Sequence, residues 1–208
     1  MSGQALKTST SSKCISVVLS GVGGQGTLVA GKLLGKVAMK TGLDVKVSEV
    51  HGMSQRGGSV ITYVRMGCKV YSPIIDEGMA DFCLFFEPLE AIRWVSLLKK
   101  GGTMIINSAP VKPLPVLLGN EKYPDRISER IKEAGEGNAR VIEIDAKQTA
   151  VSFGSAKAAN IVMIGALSIF TDIPESVWKE SIEESFSEKP HLISMNLDAF
   201  QAGRDLVR

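Results

Sequence analysis

Two polar, glycine-rich stretches hold the residues whose types and spacing suit chemistry. The first is Ser20-Gly21-Val22-Gly23-Gly24-Gln25-Gly26, which follows the apolar run from Cys14 to Leu19 and reopens as Thr27-Leu28-Val29-Ala30-Gly31-Lys32-Leu33-Leu34. A β-branched run that breaks into glycines and resumes at helical spacing predicts strand, tight turn and helix. Gly21, Gly23 and Gly26 have the spacing of a phosphate-binding turn, in which backbone N–H groups approach an anion closely and a helix N-terminus lies behind them. Gly21, Gly23, Gly24, Gln25 and Gly26 are therefore the candidate cofactor-binding residues. The same glycine triplet also serves many α/β domains only to pack the first helix on its strand.

The second stretch is Glu49-Val50-His51-Gly52-Met53-Ser54-Gln55-Arg56-Gly57-Gly58. Arg56 has Gln55 on one side and two glycines on the other, which suits a bidentate contact to a carboxylate or phosphate on a small molecule or a partner chain. Pinning its own loop through backbone carbonyls is the structural alternative. His51 is a candidate by residue type, and a hydrogen bond to the loop backbone explains it equally well. Glu49 stands about twenty residues after the glycines, where a dinucleotide fold places its ribose-binding acid. The loop that follows is foreign to that pattern and argues against NAD. Glu49, His51, Ser54, Gln55, Arg56, Gly57 and Gly58 are the candidate substrate- or partner-facing residues. No catalytic set and no metal-ligand set is read.

Both stretches need a rim to stand on. Leu43 to Ser48 and Ser59 to Met66 alternate in strand fashion, and Lys69 to Ser72 is read as a further strand closing a hairpin with the latter. Asp81 to Phe86 predicts a buried central strand ending at Glu87-Pro88, where Glu87 is expected to cap the next helix. That helix carries apolar residues at Leu89, Ile92, Val95 and Leu98, closes at Gly101-Gly102, and gives way to a strand over 103–107. Prolines at 110, 113, 115 and 124 predict an extended surface excursion. A short helix over 125–134, a strand over 140–145, a buried helix over 155–170 and two further helices complete the chain. Strands alternating with helices predict an α/β fold, a Rossmann-like three-layer α/β/α sandwich with a mainly parallel, mixed sheet. Ligands gather at the carboxyl ends of the strands in such sheets, and both glycine-rich loops fall there. Residues 1–13 read as a frayed polar tail and 14–208 as one domain.

The bulk composition narrows the classes further. A net charge of +2 without a dense basic run argues against nucleic acid. The longest apolar stretch, near Ile161 to Phe170, is too short for a membrane span. The N-terminus has no apolar core of a signal peptide, so a cytoplasmic protein is expected. Cys14, Cys68 and Cys83 stand far apart and form no CxxC; neither a disulfide framework nor a zinc or iron–sulfur site follows. Met53 and Met66 read as packing, Trp94 and Trp178 as helix-face residues, and His191 as a surface histidine.

Gly21 to Gly26, Ser48-Glu49-Val50-His51-Gly52-Met53-Ser54-Gln55-Arg56-Gly57-Gly58-Ser59-Val60, Ser72-Pro73-Ile74-Ile75 and Phe86-Glu87-Pro88-Leu89-Glu90-Ala91 together resemble the gamma-type subunit of the 2-oxoacid:ferredoxin oxidoreductases. The form His-Gly-Met-Ser-Gln-Arg-Gly-Gly is similar to that of the small (beta) subunit of the indolepyruvate enzymes. The resemblance runs from about Ile15 to the C-terminal helix. It implies a heteromeric complex that converts a 2-oxoacid, coenzyme A and oxidised ferredoxin to an acyl-CoA, carbon dioxide and reduced ferredoxin. Thiamine diphosphate and iron–sulfur clusters of that complex are expected on a large partner subunit, with none bound by this chain. The chain alone is then inert, and its partner-facing surface could pair two copies when isolated. The competing reading is a free-standing nucleotide-binding protein that uses the Gly21–Gly26 turn.

Overall fold

The computed structural model of the protein describes residues 14–52, 58–134 and 139–208. The first strand, β1 (Ile15–Val22), leads through the glycine turn into α1 (Thr27–Lys40), followed by β2 (Asp44–His51) and β3 (Ser59–Gly67). Next come β4 (Ala80–Phe85), α2 (Pro88–Trp94), a single 3-10 turn, β5 (Leu98–Asn107), α3 (Leu114–Leu117), α4 (Ile127–Ala134) and β6 (Arg140–Ile144). The chain ends with α5 (Ala146–Ser152), α6 (Ala159–Ser168), α7 (Glu175–Ser185) and α8 (Ile193–Asp205).

The six strands form one sheet in the order β2-β3-β1-β4-β5-β6. β1, β4, β5 and β6 pair in parallel, while β3 is antiparallel to both of its neighbours. Alternate side chains supply two cores, as a sheet covered on both faces requires. Val17, Leu19, Val64, Leu84 and Ile105 meet α1, α6, α7 and α8 on one face. Val18, Ile61, Cys83, Phe85 and Met104 meet α2 and α4 on the other. The sheet and its two helical layers are the α/β/α sandwich that the alternating elements predict.

The antiparallel β3 is what assembles the rim. Its first residues lie beside the last residues of two parallel strands: Ser59 faces Val22, and Val60 faces His51 and Gly21. The chain thus enters β3 at the same edge where β1 and β2 end.

Five local readings change. β2 runs on to His51, so Glu49, Val50 and His51 are strand residues paired with β3 rather than the start of a loop. The proline-rich excursion read as extended contains the short helix α3. Residues 69–72 form no strand, because β2 and β1 occupy both edges of β3. That segment is instead tied down by Val70 N–H donating to Asp44 Oδ2 at 2.8 Å, and by Arg65 Nη1 donating to the Ser72 and Ile74 carbonyls. Gly101-Gly102 does not close a helix; β5 already begins at Leu98. The glycines sit where the β4–β5 register slips between Ala80↔Leu98 and Phe82↔Thr103. Gly101 has φ +77°, and a Cβ on Gly102 would stand 2.8 Å from Leu98 Cδ1, so the pair makes a bulge inside a strand. Finally, α5 lies where no helix is expected; Asp145 caps it by accepting the Gln148 N–H at 2.8 Å. Among the described residues no helix is long and apolar enough to cross a membrane.

Candidate functional site

The glycine turn is held in place from behind. Gln25 folds back, its Oε1 accepting the Val22 N–H at 2.6 Å and its Nε2 donating to the Phe86 carbonyl at 2.9 Å. Asn107 Nδ2 donates to that same carbonyl at 3.0 Å, so the ends of β1, β4 and β5 are stitched together. Gly21 lies within β1, where a Cβ would stand 2.7 Å from Gln25 Oε1 and 3.0 Å from Phe86 Cβ. Gly21 and Gln25 therefore build the turn from below.

Gly24 and Gly26 have the left-handed backbone conformation, φ +102° and +83°, which glycine adopts without the penalty other residues carry. Gly26 is the N-cap of α1 and offers no side-chain cap; the helix's first turn has no acidic residue. Its leading N–H groups are thus left to whatever occupies the space in front. Asn160, on the buried α6, donates to the Gly26 carbonyl at 3.3 Å and sets the height of the turn.

That space is a cleft of about 390 Å³. One wall is Gly23, Gly24, Gly26, Thr27 and Leu28; the other is Glu49, His51 and Val60. Thr27 is only 5% exposed, while Leu28 is 41% exposed and forms an apolar lip. Glu49 Oε2 accepts from Thr62 Oγ1 at 3.3 Å. His51 Nδ1 lies 3.3 Å from the carbonyl of the adjacent Gly52.

The sequence-derived candidates thus sort by position. Gly23, Gly24, Gly26, Glu49 and His51 come together around one cleft. Gly58 joins them through its carbonyl, which accepts the Gly23 N–H at 2.9 Å. Ser54, Gln55, Arg56 and Gly57 lie outside the described residues. Thr27, Leu28 and Val60 were not singled out by sequence; only their adjacency to the glycines marks them.

A second set of polar groups supports the rim from the other face of the sheet. Glu87, 1% exposed, caps α2 as expected: Oε2 accepts the Leu89 and Glu90 N–H groups at 2.7 and 3.2 Å. Its Oε1 accepts from the Val111 N–H at 3.4 Å and from the Tyr123 hydroxyl. Glu87 therefore fastens the proline-rich excursion to the rim. Burial first, and then the hydrogen bond and charge of Glu87, hold the Tyr123 phenol above its ordinary value of 10.0. A raised phenol pKa favours the neutral form in the fold. The stability it contributes is complete below pH 10 and is lost as pH climbs through the folded value. Tyr123→Phe is expected to flatten that alkaline loss of stability in pH-dependent denaturation, leaving neutral-pH behaviour changed only by the lost hydrogen bond.

Among the described residues no three His, Cys, Asp or Glu side chains gather closely enough to hold a metal ion. Cys83 is buried, and that burial pushes its thiol well above the usual range; Cys14 is half-buried and Cys68 exposed. The cysteines do not fit an iron–sulfur cluster, which takes four thiolates.

Comparison with known proteins agrees with this architecture. Residues 16–206 match the family model for pyruvate ferredoxin/flavodoxin oxidoreductase. The chain is 43% identical to the indolepyruvate oxidoreductase subunit IorB of Pyrococcus horikoshii, across 90% of this chain and 93% of that one. Its fold is similar to the gamma subunit of a keto/oxoacid ferredoxin oxidoreductase from Geobacter sulfurreducens, with TM-score 0.67 and 22% identity, covering 93% of this chain and 98% of that one. It is also similar to part of the 2-oxoglutarate:ferredoxin oxidoreductase of Magnetococcus marinus, solved with 2-oxoglutarate, coenzyme A and succinyl-CoA bound. There the TM-score is 0.73 and the identity 23%, over 94% of this chain and 31% of that one. These matches do not favour a free-standing nucleotide-binding protein. The chain belongs to the pyruvate ferredoxin/flavodoxin oxidoreductase family.

Proposed function

We propose that the chain, with residues 14–208 as its single domain, is the accessory subunit of a cytoplasmic, ferredoxin-dependent oxidoreductase of indolepyruvate or another aryl 2-oxoacid. The identity to IorB over nearly the full length of both chains supports the substrate class. The complex oxidatively decarboxylates the 2-oxoacid, transfers the acyl group to coenzyme A and passes the electrons to ferredoxin. Thiamine diphosphate, when bound, stabilises the carbanion left by decarboxylation, and iron–sulfur clusters carry the electrons. Both belong to a large partner subunit, and no chemical step is assigned to this chain.

Its own residues hold coenzyme A and meet that partner. The observation that carries this is the uncapped start of α1, set behind two left-handed glycines and open to a cleft with room for a phosphate-bearing arm. Unpaired N–H groups and the helix dipole favour an anion there. Glu49 and His51 line the opposite wall, and in sequence Arg56 falls between His51 and Gly58. Arg56 supplies a charge-assisted contact to a phosphate or to an acid of the partner.

The test is Arg56→Ala in the purified complex. A charge-assisted hydrogen bond contributes about 1.5–3 kcal/mol, so the KM for coenzyme A should rise by about tenfold or more. Full coenzyme A-dependent turnover with an unchanged KM and intact assembly would sink the assignment of the loop.

A further inference from the structure

We infer that Glu90 is a positioning residue for the candidate site: it fixes Ser59, the point where the chain enters β3. The assignment of a catalytic consequence rests on the proposed role of the cleft. Glu90 is 3% exposed, in the first turn of α2, and belongs to neither glycine-rich stretch. A carboxylate buried to that degree needs donors all round it, and this one draws them from three separate elements. Its Oε2 accepts from Ser59 Oγ at 2.5 Å, Ser20 Oγ at 3.1 Å and Trp94 Nε1 at 3.1 Å. Its Oε1 accepts from Arg93.

The two serines are the informative partners. Ser20 is the residue before the glycine turn, and Ser59 is the residue after the second glycine-rich loop. One carboxylate oxygen thus holds the residue at the start of the glycine turn and the first residue of β3. The link continues through the backbone, because Gly58, next to Ser59, accepts the Gly23 N–H at 2.9 Å. Gly23 lines the cleft. The path from Glu90 to the cleft is therefore Glu90, Ser59, Gly58 and Gly23, each joined to the next by a hydrogen bond or a peptide bond. Ser20 has a single hydroxyl hydrogen and lies 2.9 Å from the Val60 carbonyl as well, so it divides its donation between the two acceptors. Ser59 is then the principal tether.

Two variants of the assembled complex test this. Ser59→Ala removes the tether and leaves the Ser20, Trp94 and Arg93 contacts; Glu90→Gln keeps the shape but halves the acceptor capacity. Amide hydrogen exchange at Gly23 should quicken by about tenfold in either, the signature of easier local opening, with the amides of α6 and α8 unchanged. The KM for coenzyme A should rise severalfold with kcat held, and Ser59→Thr, which keeps a hydroxyl, should restore both readouts.

Unchanged exchange at Gly23 in both variants overturns the positioning role, whatever the cleft does. Faster exchange with an unchanged KM overturns the functional reading of the cleft, and with it the catalytic consequence of Glu90. Exchange that quickens throughout the sheet, with apparent kcat falling at constant KM, marks plain loss of folded protein and also overturns the proposal.

Discussion

Gly203→Ala is expected to lower the melting temperature by about 6–12 °C, whether the chain is measured alone or in its complex. α6 and α8 cross at glycines. A Cβ on Gly203 would stand 2.0 Å from the Val162 carbonyl oxygen, and one on Gly165 would stand 2.1 Å from the Phe200 carbonyl oxygen. Both obstacles are backbone, so no rotamer change relieves them; the helices must separate. α6 is buried along almost its whole length, and Phe200 of α8 stacks on the buried Trp178 of α7, with ring centroids 6.2 Å apart. Separation therefore loosens three helices at once. Overpacking a well-filled core costs about 3 kcal/mol, and for a chain of this length each kcal/mol shifts the melting temperature by about 2–4 °C. Ala202, one position earlier on α8, is only half-buried, and Ala202→Ser is the comparison that should leave the temperature nearly unchanged. An unshifted melting temperature for Gly203→Ala would show that the helix crossing is not as close as described.

Gly26→Ala and Gly24→Ala should differ sharply although both glycines have positive φ. At Gly24 an added Cβ meets nothing within 4 Å, so the cost is the left-handed backbone alone, about 1–2 kcal/mol. At Gly26 the same backbone penalty applies, and the Cβ would also stand 2.4 Å from Asn160 Nδ2. Asn160 must then leave the Gly26 carbonyl, and its buried amide loses that partner, which adds about 1–3 kcal/mol. Gly26 also carries the first turn of α1. Gly26→Ala should therefore lower stability and raise the KM for coenzyme A together, while Gly24→Ala mainly lowers stability. Thermal melts and coenzyme A titrations of the two complexes check this. Equal effects at the two positions would remove Asn160 from the account of the turn.

Much of the site was legible because its signals are local. A glycine in the left-handed region and a Glu-Pro helix start each declare themselves within a few residues. That is how the turn at 21–26 and the cap at Glu87 were read directly, whereas Glu49 to His51, read as the start of a loop, are the last residues of β2. The hairpin assigned to 69–72 went astray because an alternating run looks the same whether or not an edge is free to pair with it. Gly101-Gly102 carries the signature of a helix stop and of a strand bulge alike; only the slipped β4–β5 register distinguishes them. Glu90 sits in a motif that marked the family, yet its partners lie 31 and 70 residues away in sequence, and no spacing rule reports that.

The sequence by itself determined the class of fold, the glycine turn and the family, because hydrophobic periodicity, turn chemistry and motif order are properties of short segments. The tertiary structure decided what those stretches face. It turned Gln25 away from the cleft and into the sheet, brought Glu49 and His51 opposite α1, and gathered Ser20 and Ser59 on one buried carboxylate. The physical reason is that an antiparallel β3 between β1 and β2 delivers the start of one strand to the ends of two others. Burial then requires every polar group collected there to find a partner across the fold rather than along the chain.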